Sequence, residues 1–569
     1  MMNPGNPIIV QSDRTILLEV DHPQYAEARD ALARFAELEK SPEHIHTYRL
    51  SPLSLWNAAA GGMNASIILE LLARYSKYAI PNNVATDIRD YISRYGRIKL
   101  VRGGAHSDEL FLVSDDAALL LEVLHHKRMQ PYLLRSIDRH TLQIDAARRG
   151  HVKQALIHIG FPAEDLAGYT DGSPLPIRLR ETSRLGKAFA PRAYQQAAAD
   201  AFYAGGAPGG GSGVVVLPCG AGKTIVGLAT IAEIQRATLI LTPNTIAVRQ
   251  WINELLDKTD IEPGLIAEYT GDRKDIAPIT VSTYQILTYR RTINNEQEEA
   301  LEFYPHFSLF TSYDWGLIIY DEVHLLPAPV FRITAEIQAR RRLGLTATLV
   351  REDGREADVF SLIGPKKYDV PWRELERQGW IATAECHEVR VSLSEDEQLN
   401  YATAETREKY RIAAETPAKL RVARYLAERH SDDQVLIIGQ YLDQLKMLAE
   451  ELNAPLLTGR TSTNQRERLY DQFRRGEIKR LVVSKVANFA IDLPDANVAI
   501  QVSGTFGSRQ EEAQRLGRIL RPKTDGGLAY FYSVVTRDTC DQEFSANRQL
   551  FLTEQGYRYI IEDAEALLA

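Results

Sequence analysis

The order of four short segments constrains this chain more than any other feature of its sequence. Along the chain they are Gly220-Ala221-Gly222-Lys223-Thr224, Asp321-Glu322-Val323-His324, Thr346-Ala347-Thr348 and the arginine-rich Gln514–Arg521. Short motifs recur by chance, so one segment alone is weak evidence. All of them in this order indicate two α/β lobes that share a nucleotide.

The first segment has the composition of a phosphate-binding loop. The apolar run Val214–Leu217 before it predicts a buried parallel strand, and the residues after it predict a helix. Glycines let backbone N–H groups face a phosphate, and the helix adds its positive N-terminal end. In such a loop Lys223 reaches the β- and γ-phosphates of ATP, and the Thr224 hydroxyl holds Mg²⁺. Leu217 stands where the general pattern has glycine, which the shorter Gly-x-Gly-Lys-Thr form tolerates.

A second apolar run, Leu317–Tyr320, ends at two adjacent carboxylates. Ligands collect at the carboxyl ends of strands in an open α/β sheet, so Asp321 and Glu322 are predicted to face the phosphate loop. Asp321 would hold the Mg²⁺, and Glu322 would orient and deprotonate the attacking water. The alternative is a solvated acidic turn, which the presence of Lys223 disfavours.

With these residues in place, the chain resembles the superfamily 2 helicases, and more closely the XPB family in its bacterial and archaeal form. In eukaryotes that family supplies the double-strand DNA translocase of the transcription and repair factor TFIIH. The motor resemblance covers about residues 180–569, and the N-terminal part extends it over nearly the whole chain. Its marks are the Asp321–His324 box, Leu345–Asp353, Ser484-Lys485-Val486 with Ile491–Pro494, Gln514–Arg521, and, near the N-terminus, Ile8–Asp13 and residues 43–100.

The resemblance implies an α/β fold with two RecA-like parallel-sheet motor lobes preceded by small α+β N-terminal domains. It divides the chain into an N-terminal winged-helix-like or helical domain at 1–95, a damage-recognition-like domain at 96–178, an ATP-binding first lobe at 179–378 and a second lobe at 379–569. A helical stretch near 393–429 occupies the place of the family's thumb-like insertion, and a mere connecting helix fits it as well.

Apolar residues at helical spacing predict two amphipathic helices in the first of these domains. The first pattern is formed by Ile67, Leu71 and Tyr75, and the second begins with Val84 and Ile88. Pro81-Asn82-Asn83 separates the two patterns with turn and cap chemistry. Residues 1–95 are therefore expected to be mixed and largely helical.

The resemblance also implies a site for the adenine base. Pro191–Gln196 is similar to the family's adenine-recognising segment, which makes Arg192 and Gln195 candidate nucleotide contacts. The amide of Gln195 can both donate and accept, as an adenine edge requires. The neighbouring Gln196 is an alternative candidate for the contact with adenine.

Further roles follow from the resemblance in the first lobe. Thr346 and Thr348 would couple the phosphate state to lobe movement. Arg351-Glu352-Asp353 matches the RED motif, which acts where the DNA strands separate.

In the second lobe, Asp492 would contact the ribose of the nucleotide, although Ala490 stands where the motor consensus often has glycine. Arg518 and Arg521 are the arginine-finger candidates, and Gln514 belongs to the same element. An arginine finger contributes a factor of roughly 10³–10⁵ to the rate, so removal of either should nearly abolish turnover.

Composition sets limits on the class of protein. The chain has 569 residues, three cysteines and a formal net charge of −8. Too few cysteines are present for a disulfide framework or a zinc site. No apolar run is long enough for a transmembrane span and no secretion signal is seen, so no membrane partner is expected. The resemblance implies a bacterial or archaeal cytoplasmic protein. The negative charge argues only weakly against DNA, because affinity follows a local basic track.

These features together predict an ATP-dependent 3′–5′ DNA helicase of DNA repair, with ATP and Mg²⁺ bound between the lobes. The polarity is implied by the resemblance alone. Predicted partners are DNA and a repair nuclease or repair complex, and the chain is expected to be monomeric. The alternatives are a double-strand DNA translocase without intrinsic unwinding, an RNA helicase, and a non-catalytic scaffold that binds ATP and DNA.

Overall fold

The structure is a computed structural model that describes most of the chain. The described residues are 3–41, 44–104, 109–207, 209–218, 220–289, 291–292, 302–337, 340–347, 356–484, 496–504, 516 and 528–569. Two parallel sheets form the motor lobes, as predicted, and two smaller sheets precede them. Within these residues, no helix has both the length and the apolar character needed to span a bilayer.

The N-terminal unit is an antiparallel sheet covered by helices. Its strand order is β1-β2-β4-β3, and strand β2 buries Ile16 and Leu18 in the unit's core. The sheet was not predicted, because its strands are short and polar residues interrupt them. The elements are β1 (Ile8–Val10), β2 (Thr15–Glu19), α1 (Tyr25–Leu32), β3 (Glu37–Lys40), β4 (Ile45–Arg49), α2 (Pro52–Ala60), α3 (Ala65–Tyr75) and α4 (Asn82–Arg94).

Both amphipathic helices of this unit are present, but the buried face of α3 differs from the prediction. The helix buries Ile68, Leu72 and Tyr75, whereas Ile67 is 38% exposed. The apolar run in α3 is nearly continuous, so its spacing fits two adjacent faces equally well. Packing against the sheet selects one of them.

The second unit is a mixed sheet of strand order β7-β8-β6-β5-β9, which packs on the first motor lobe. The buried guanidinium of Arg149 binds Asp165 at 2.6 Å, and Lys153 lies 3.1 Å from the same carboxylate. The elements are β5 (Lys99–Arg102), β6 (Leu110–Val113), α5 (Ala117–His125), β7 (Leu133–Asp138), β8 (Thr141–Ile144), α6 (Arg149–His158) and β9 (Glu164–Asp165).

The first motor lobe is a parallel sheet of strand order β12-β13-β11-β16-β17-β10-β18. Its central strands are buried along their whole length, as expected for a sheet covered on both faces. The strands are β10 (Ser212–Val216), β11 (Thr238–Thr242), β12 (Ile266–Tyr269), β13 (Ile279–Thr283), β16 (Leu317–Asp321), β17 (Arg341–Thr346) and β18 (Lys366–Asp369), beside a small pair β14 (Arg291–Thr292) and β15 (Glu302–Phe303). The helices are α7 (Ala193–Tyr203), α8 (Lys223–Ile234), α9 (Thr245–Lys258), α10 (Tyr284–Leu287), α11 (Ala328–Glu336), α12 (Glu356–Leu362) and α13 (Trp372–Arg377).

The second motor lobe is also a parallel sheet, of strand order β21-β22-β20-β23-β24-β19-β25. Its strands are β19 (Ala384–Val391), β20 (Val435–Gly439), β21 (Leu456–Leu457), β22 (Arg480–Ser484), β23 (Val498–Gln501), β24 (Ala529–Thr536) and β25 (Tyr559–Asp563). Its helices are α14 (Glu395–Thr403), α15 (Thr406–Glu415), α16 (Pro417–Arg429), α17 (Leu442–Glu451), α18 (Thr463–Arg474), α19 (Cys540–Glu554) and α20 (Ala564–Leu568).

The stretch compared with a thumb contains α14, α15 and α16. The last of these belongs to the core of the second lobe, where it buries Leu420 and Leu426. The ammonium group of Lys419 is fully buried 2.6 Å from a carboxylate oxygen of Asp541. Breaking such a buried pair is costly, so α16 is firmly held to the lobe.

The N-terminal unit contacts both motor lobes. The side chain of Asn57 accepts a hydrogen bond of 3.1 Å from the backbone N–H of Lys366, at the start of β18 in the first lobe. On the second lobe, Leu550 of α19 joins the core of the N-terminal unit, and the guanidinium of Arg558 lies 4.8 Å from the ring centre of Tyr25. The unit therefore bridges the two lobes.

The packing of α8 against α9 predicts the effect of one substitution. A Cβ atom at Gly227 would lie 2.3 Å from Cη2 of Trp251. Glycine-to-alanine changes inside helices normally stabilise by about 1 kcal/mol, but overpacking costs about 1–3 kcal/mol. We expect Gly227→Ala to lower the melting temperature in thermal unfolding. The control is Gly264→Ala, where a Cβ would meet no atom within 4 Å. Equal melting temperatures of the two variants would contradict the close packing of Gly227 against Trp251.

Candidate active site

The phosphate loop joins β10 to α8 at the carboxyl edge of the first sheet. Gly220 and Gly222 have φ angles of +79° and +81°, in the left-handed region that favours glycine. Helix α8 begins at Lys223 with Gly222 at its N-cap, and among the described residues no side chain caps it. The start of α8 presents the positive end of the helix to the loop, which favours an anion there.

The register of the sheet brings the predicted segments to the same level. Val216, at the end of β10, pairs with Thr346 of β17, and Asp321, at the end of β16, pairs with Leu345 of β17. The backbone N–H of Leu217 donates to the carbonyl oxygen of Thr346 at 3.0 Å. The segments that contain Lys223, Asp321 and Thr346 therefore meet at one edge.

Lys223 and Glu322 are in direct contact. The ammonium nitrogen of Lys223 lies 3.3 Å from Oε1 of Glu322. Burial alone would raise the pKa of Glu322, but the charges of Lys223 and His324 outweigh it and hold that pKa below its ordinary value. Glu322 is consequently a carboxylate at neutral pH, which is the form that can accept a proton from water.

The surroundings of Asp321 shift its pKa in the opposite direction from that of Glu322. Burial, together with the neighbouring charge of Glu322, raises the pKa of the Asp321 carboxyl group. A cation at this position would favour the ionised form, because an opposite charge nearby lowers the pKa of a carboxyl group. A hydroxyl, a single carboxylate and substrate phosphates are a common ligand set for Mg²⁺. Thr224 and Asp321 fit that set.

A chain of contacts leads from Glu322 to the end of β17. Nδ1 of His324 lies 3.5 Å from Oε2 of Glu322 and 2.7 Å from Oγ1 of the buried Thr346. Glu322 itself has a left-handed backbone (φ 50°, ψ 56°), which is unusual for a residue other than glycine and typical of functional sites. His324 thus connects the predicted base with Thr346.

Two aromatic residues that the sequence analysis did not identify hold Asp321. The indole N–H of Trp251 donates to Oδ2 of Asp321 at 2.9 Å. The hydroxyl of Tyr284 donates to the backbone carbonyl oxygen of Asp321, also at 2.9 Å. No local pattern around either aromatic residue signals this role, because the contacts arise from the order of the strands.

The candidate adenine segment lies directly against the phosphate loop. Oε1 of Gln195 accepts from the backbone N–H of Arg192 at 2.8 Å, and Nε2 of Gln195 donates to the carbonyl oxygen of Ala221 at 2.8 Å. The hydroxyl of Tyr194 donates to the same carbonyl oxygen at 2.7 Å. The guanidinium of Arg192 lies 4.4 Å from the ring centre of Trp380, between the lobes. Gln195 therefore braces the loop, and its reading of adenine stays a prediction.

The other predicted site residues lie outside the described residues, and their roles stay predictions. The described positions nearest in the chain to the second-lobe candidates are the buried Ala496 and Leu516. The predicted residues outside the described part are Thr348, Arg351, Glu352, Asp353, Asp492, Gln514, Arg518 and Arg521.

Three protein-family models match the chain. The model of the ERCC3/RAD25/XPB C-terminal helicase matches residues 375–566, which form the second lobe. The model of the type III restriction enzyme res subunit matches residues 188–351 of the first lobe. A model described as a helicase conserved C-terminal domain matches residues 8–138, in the two N-terminal units.

Similar proteins match over almost the full length. The DNA 3′-5′ helicase XPB of Mycobacterium tuberculosis is 58% identical over 99% of this chain and 98% of its own length. The protein of the same name from Kineococcus radiotolerans is 55% identical over 98% of this chain and 97% of its own. The general transcription and DNA repair factor IIH helicase/translocase subunit XPB of Enterocytozoon bieneusi is 33% identical over 97% of this chain and 92% of its own.

The conformation of the phosphate loop predicts the effect of Gly222→Ala. A Cβ atom at this position would lie 2.5 Å from Nε2 of Gln195, on a backbone with φ of +81°. We expect the variant to bind a fluorescent ATP analogue at least about tenfold more weakly, because the loop must open to admit the methyl group. Gly186→Ala is the matched control, since its φ is +79° and a Cβ there would meet nothing within 4 Å. Equal affinities of the two variants would contradict the prediction.

Proposed function

Because the chain belongs to the XPB family of DNA helicases, we propose that it is an ATP-dependent 3′–5′ DNA helicase that acts in DNA repair. It couples ATP hydrolysis to movement along DNA and to separation of the strands. The observation that carries the proposal is the contact of Lys223 with Glu322, continued through His324 to Thr346. A change at the nucleotide phosphates can pass along these contacts to the end of β17.

In the proposed mechanism, Lys223 exchanges its partner during the cycle. In the structure its ammonium group lies beside Glu322. When ATP binds, Lys223 turns to the β- and γ-phosphates, and Glu322 becomes free to orient water and accept its proton. Thr224 and Asp321 would hold Mg²⁺, which would supply positive charge against the phosphates.

The release of phosphate is transmitted through a histidine in this proposal. A change in the position of Glu322 alters its contact with His324, and His324 is hydrogen-bonded to Thr346. Thr346 precedes Thr348 and the Arg351-Glu352-Asp353 motif in the chain. This connection couples hydrolysis to the part of the first lobe that we assign to strand separation.

The second lobe completes the proposed site. Arg518 and Arg521 reach the γ-phosphate from the opposite side, Gln514 belongs to the same element, and Asp492 contacts the ribose. In the first lobe, Arg192 and Gln195 recognise adenine.

We further propose that the protein is a cytoplasmic monomer that acts on DNA alone or beside a repair nuclease or complex.

A double-strand translocase without intrinsic unwinding is the second candidate. The observation in its favour is that the relative from Enterocytozoon bieneusi is named a helicase/translocase subunit. Both candidates use the same ATPase residues, so only strand displacement separates them.

The proposal predicts DNA-stimulated turnover that depends on Glu322. We expect Glu322→Gln to keep ATP binding and to lose a factor of about 10²–10⁴ in turnover, because general base catalysis is removed. The measurement is ATP hydrolysis with no nucleic acid, single-stranded DNA, double-stranded DNA and RNA. Glu262→Gln is the control, since this exposed carboxylate precedes the amino end of β12, at the opposite edge of the sheet.

Strand displacement on 3′-tailed and 5′-tailed duplexes distinguishes the alternatives. Displacement of the 3′-tailed duplex alone supports the proposed polarity. Turnover stimulated by duplex DNA without displacement favours the translocase, and equal stimulation by RNA favours an RNA helicase. If ATP is not hydrolysed under any of these conditions, the result contradicts an enzymatic function and favours a non-catalytic scaffold.

A further inference from the structure

Trp251 lies on α9, and its side chain reaches the predicted metal ligand Asp321 across the sheet. Its indole N–H donates to Oδ2 of the Asp321 carboxylate at 2.9 Å, which is a normal length for a charge-assisted hydrogen bond. The side chain is only 1% exposed. The donor side of this hydrogen bond is therefore shielded from solvent.

The position of the indole ring is fixed by the helix of the phosphate loop. Gly227 lies one turn after Lys223 on α8, and a Cβ there would be 2.3 Å from Cη2 of Trp251. The ring thus packs directly on the backbone of α8. One rigid side chain consequently connects the phosphate-loop helix with the carboxylate at the end of β16.

The chemistry of the indole suits a group that orients a metal ligand. Its N–H is a donor only, carries no charge and cannot bind a cation. It engages one oxygen of the Asp321 carboxylate without cancelling the negative charge. The hydroxyl of Tyr284 holds the backbone carbonyl of the same residue at 2.9 Å. Asp321 is therefore restrained at both its backbone and its side chain.

We infer that Trp251 is a positioning residue, which holds the carboxylate of Asp321 in the orientation that binds the catalytic cation. The inference rests on the proposed function, in which Asp321 is a ligand of Mg²⁺. Hydrogen bonds to metal ligands typically change metal affinity 10–100-fold when they are removed. A role in packing alone would leave metal affinity unchanged.

The test measures cation binding directly, with Mn²⁺ as the probe. The full-length protein is saturated with ADP, and free Mn²⁺ is followed by electron paramagnetic resonance during a titration. Trp251→Phe removes the N–H and keeps an aromatic ring at position 251. We expect it to bind Mn²⁺ 10–100-fold more weakly, with unchanged ADP affinity in the presence of a chelator.

Trp315→Phe is the matched control. Trp315 is also fully buried in the first lobe, and its indole N–H donates at 2.9 Å to the backbone carbonyl of Leu309. This substitution removes a comparable hydrogen bond in another part of the core. We expect its Mn²⁺ affinity to equal that of the unmodified protein, and a loss equal to that of Trp251→Phe would overturn the inference.

Asp321→Asn separates a failure of the inference from a failure of the proposed site. If Asp321→Asn loses Mn²⁺ binding and Trp251→Phe stays within twofold of the unmodified protein, Trp251 does not position the ligand. If Asp321→Asn binds Mn²⁺ normally, Asp321 is not a ligand and both proposals are wrong. Should Trp251→Phe not fold, benzothienylalanine at position 251 keeps the two-ring shape without the N–H, and its Mn²⁺ affinity decides.

Discussion

The parallel pairing of β10, β17 and β16 is the constraint on which the site depends. Its register sets Val216 beside Thr346 and Asp321 beside Leu345. Residues that are 130 and 24 positions apart in the chain are therefore paired at one edge of a buried sheet. A slip of one residue would turn every side chain to the opposite face, so burial of the sheet and assembly of the site are enforced together.

Charge balance explains the arrangement of groups at this edge. Burial, and then the charge of the adjacent Glu322, raise the pKa of Asp321. Glu322 stays ionised because Lys223 and His324 lie beside it. A neutral donor, Trp251, stabilises Asp321 without competing for a cation. This arrangement is what the proposed function requires, in which Asp321 would meet a cation and Lys223 a phosphate.

The N-terminal unit adds a mechanical constraint to the two lobes. It is joined to β18 of the first lobe through Asn57 and to α19 of the second through Leu550. A change in the angle between the lobes must break one of these contacts or deform the unit. Its short antiparallel strands carry no sequence signal as clear as the phosphate loop, because each buries only a few side chains.

The sequence by itself predicted the two parallel lobes, which the structure confirms, and selected Lys223, Asp321 and Glu322 as candidate site residues, because glycine turns, apolar strands and paired carboxylates are local patterns. It could not select the buried face of α3, since Ile67 and Ile68 both fit the spacing and only packing distinguishes them. Tertiary structure alone placed His324 between Glu322 and Thr346, and Trp251 against Asp321. Those contacts depend on strand order and register, which join residues that are distant in the chain.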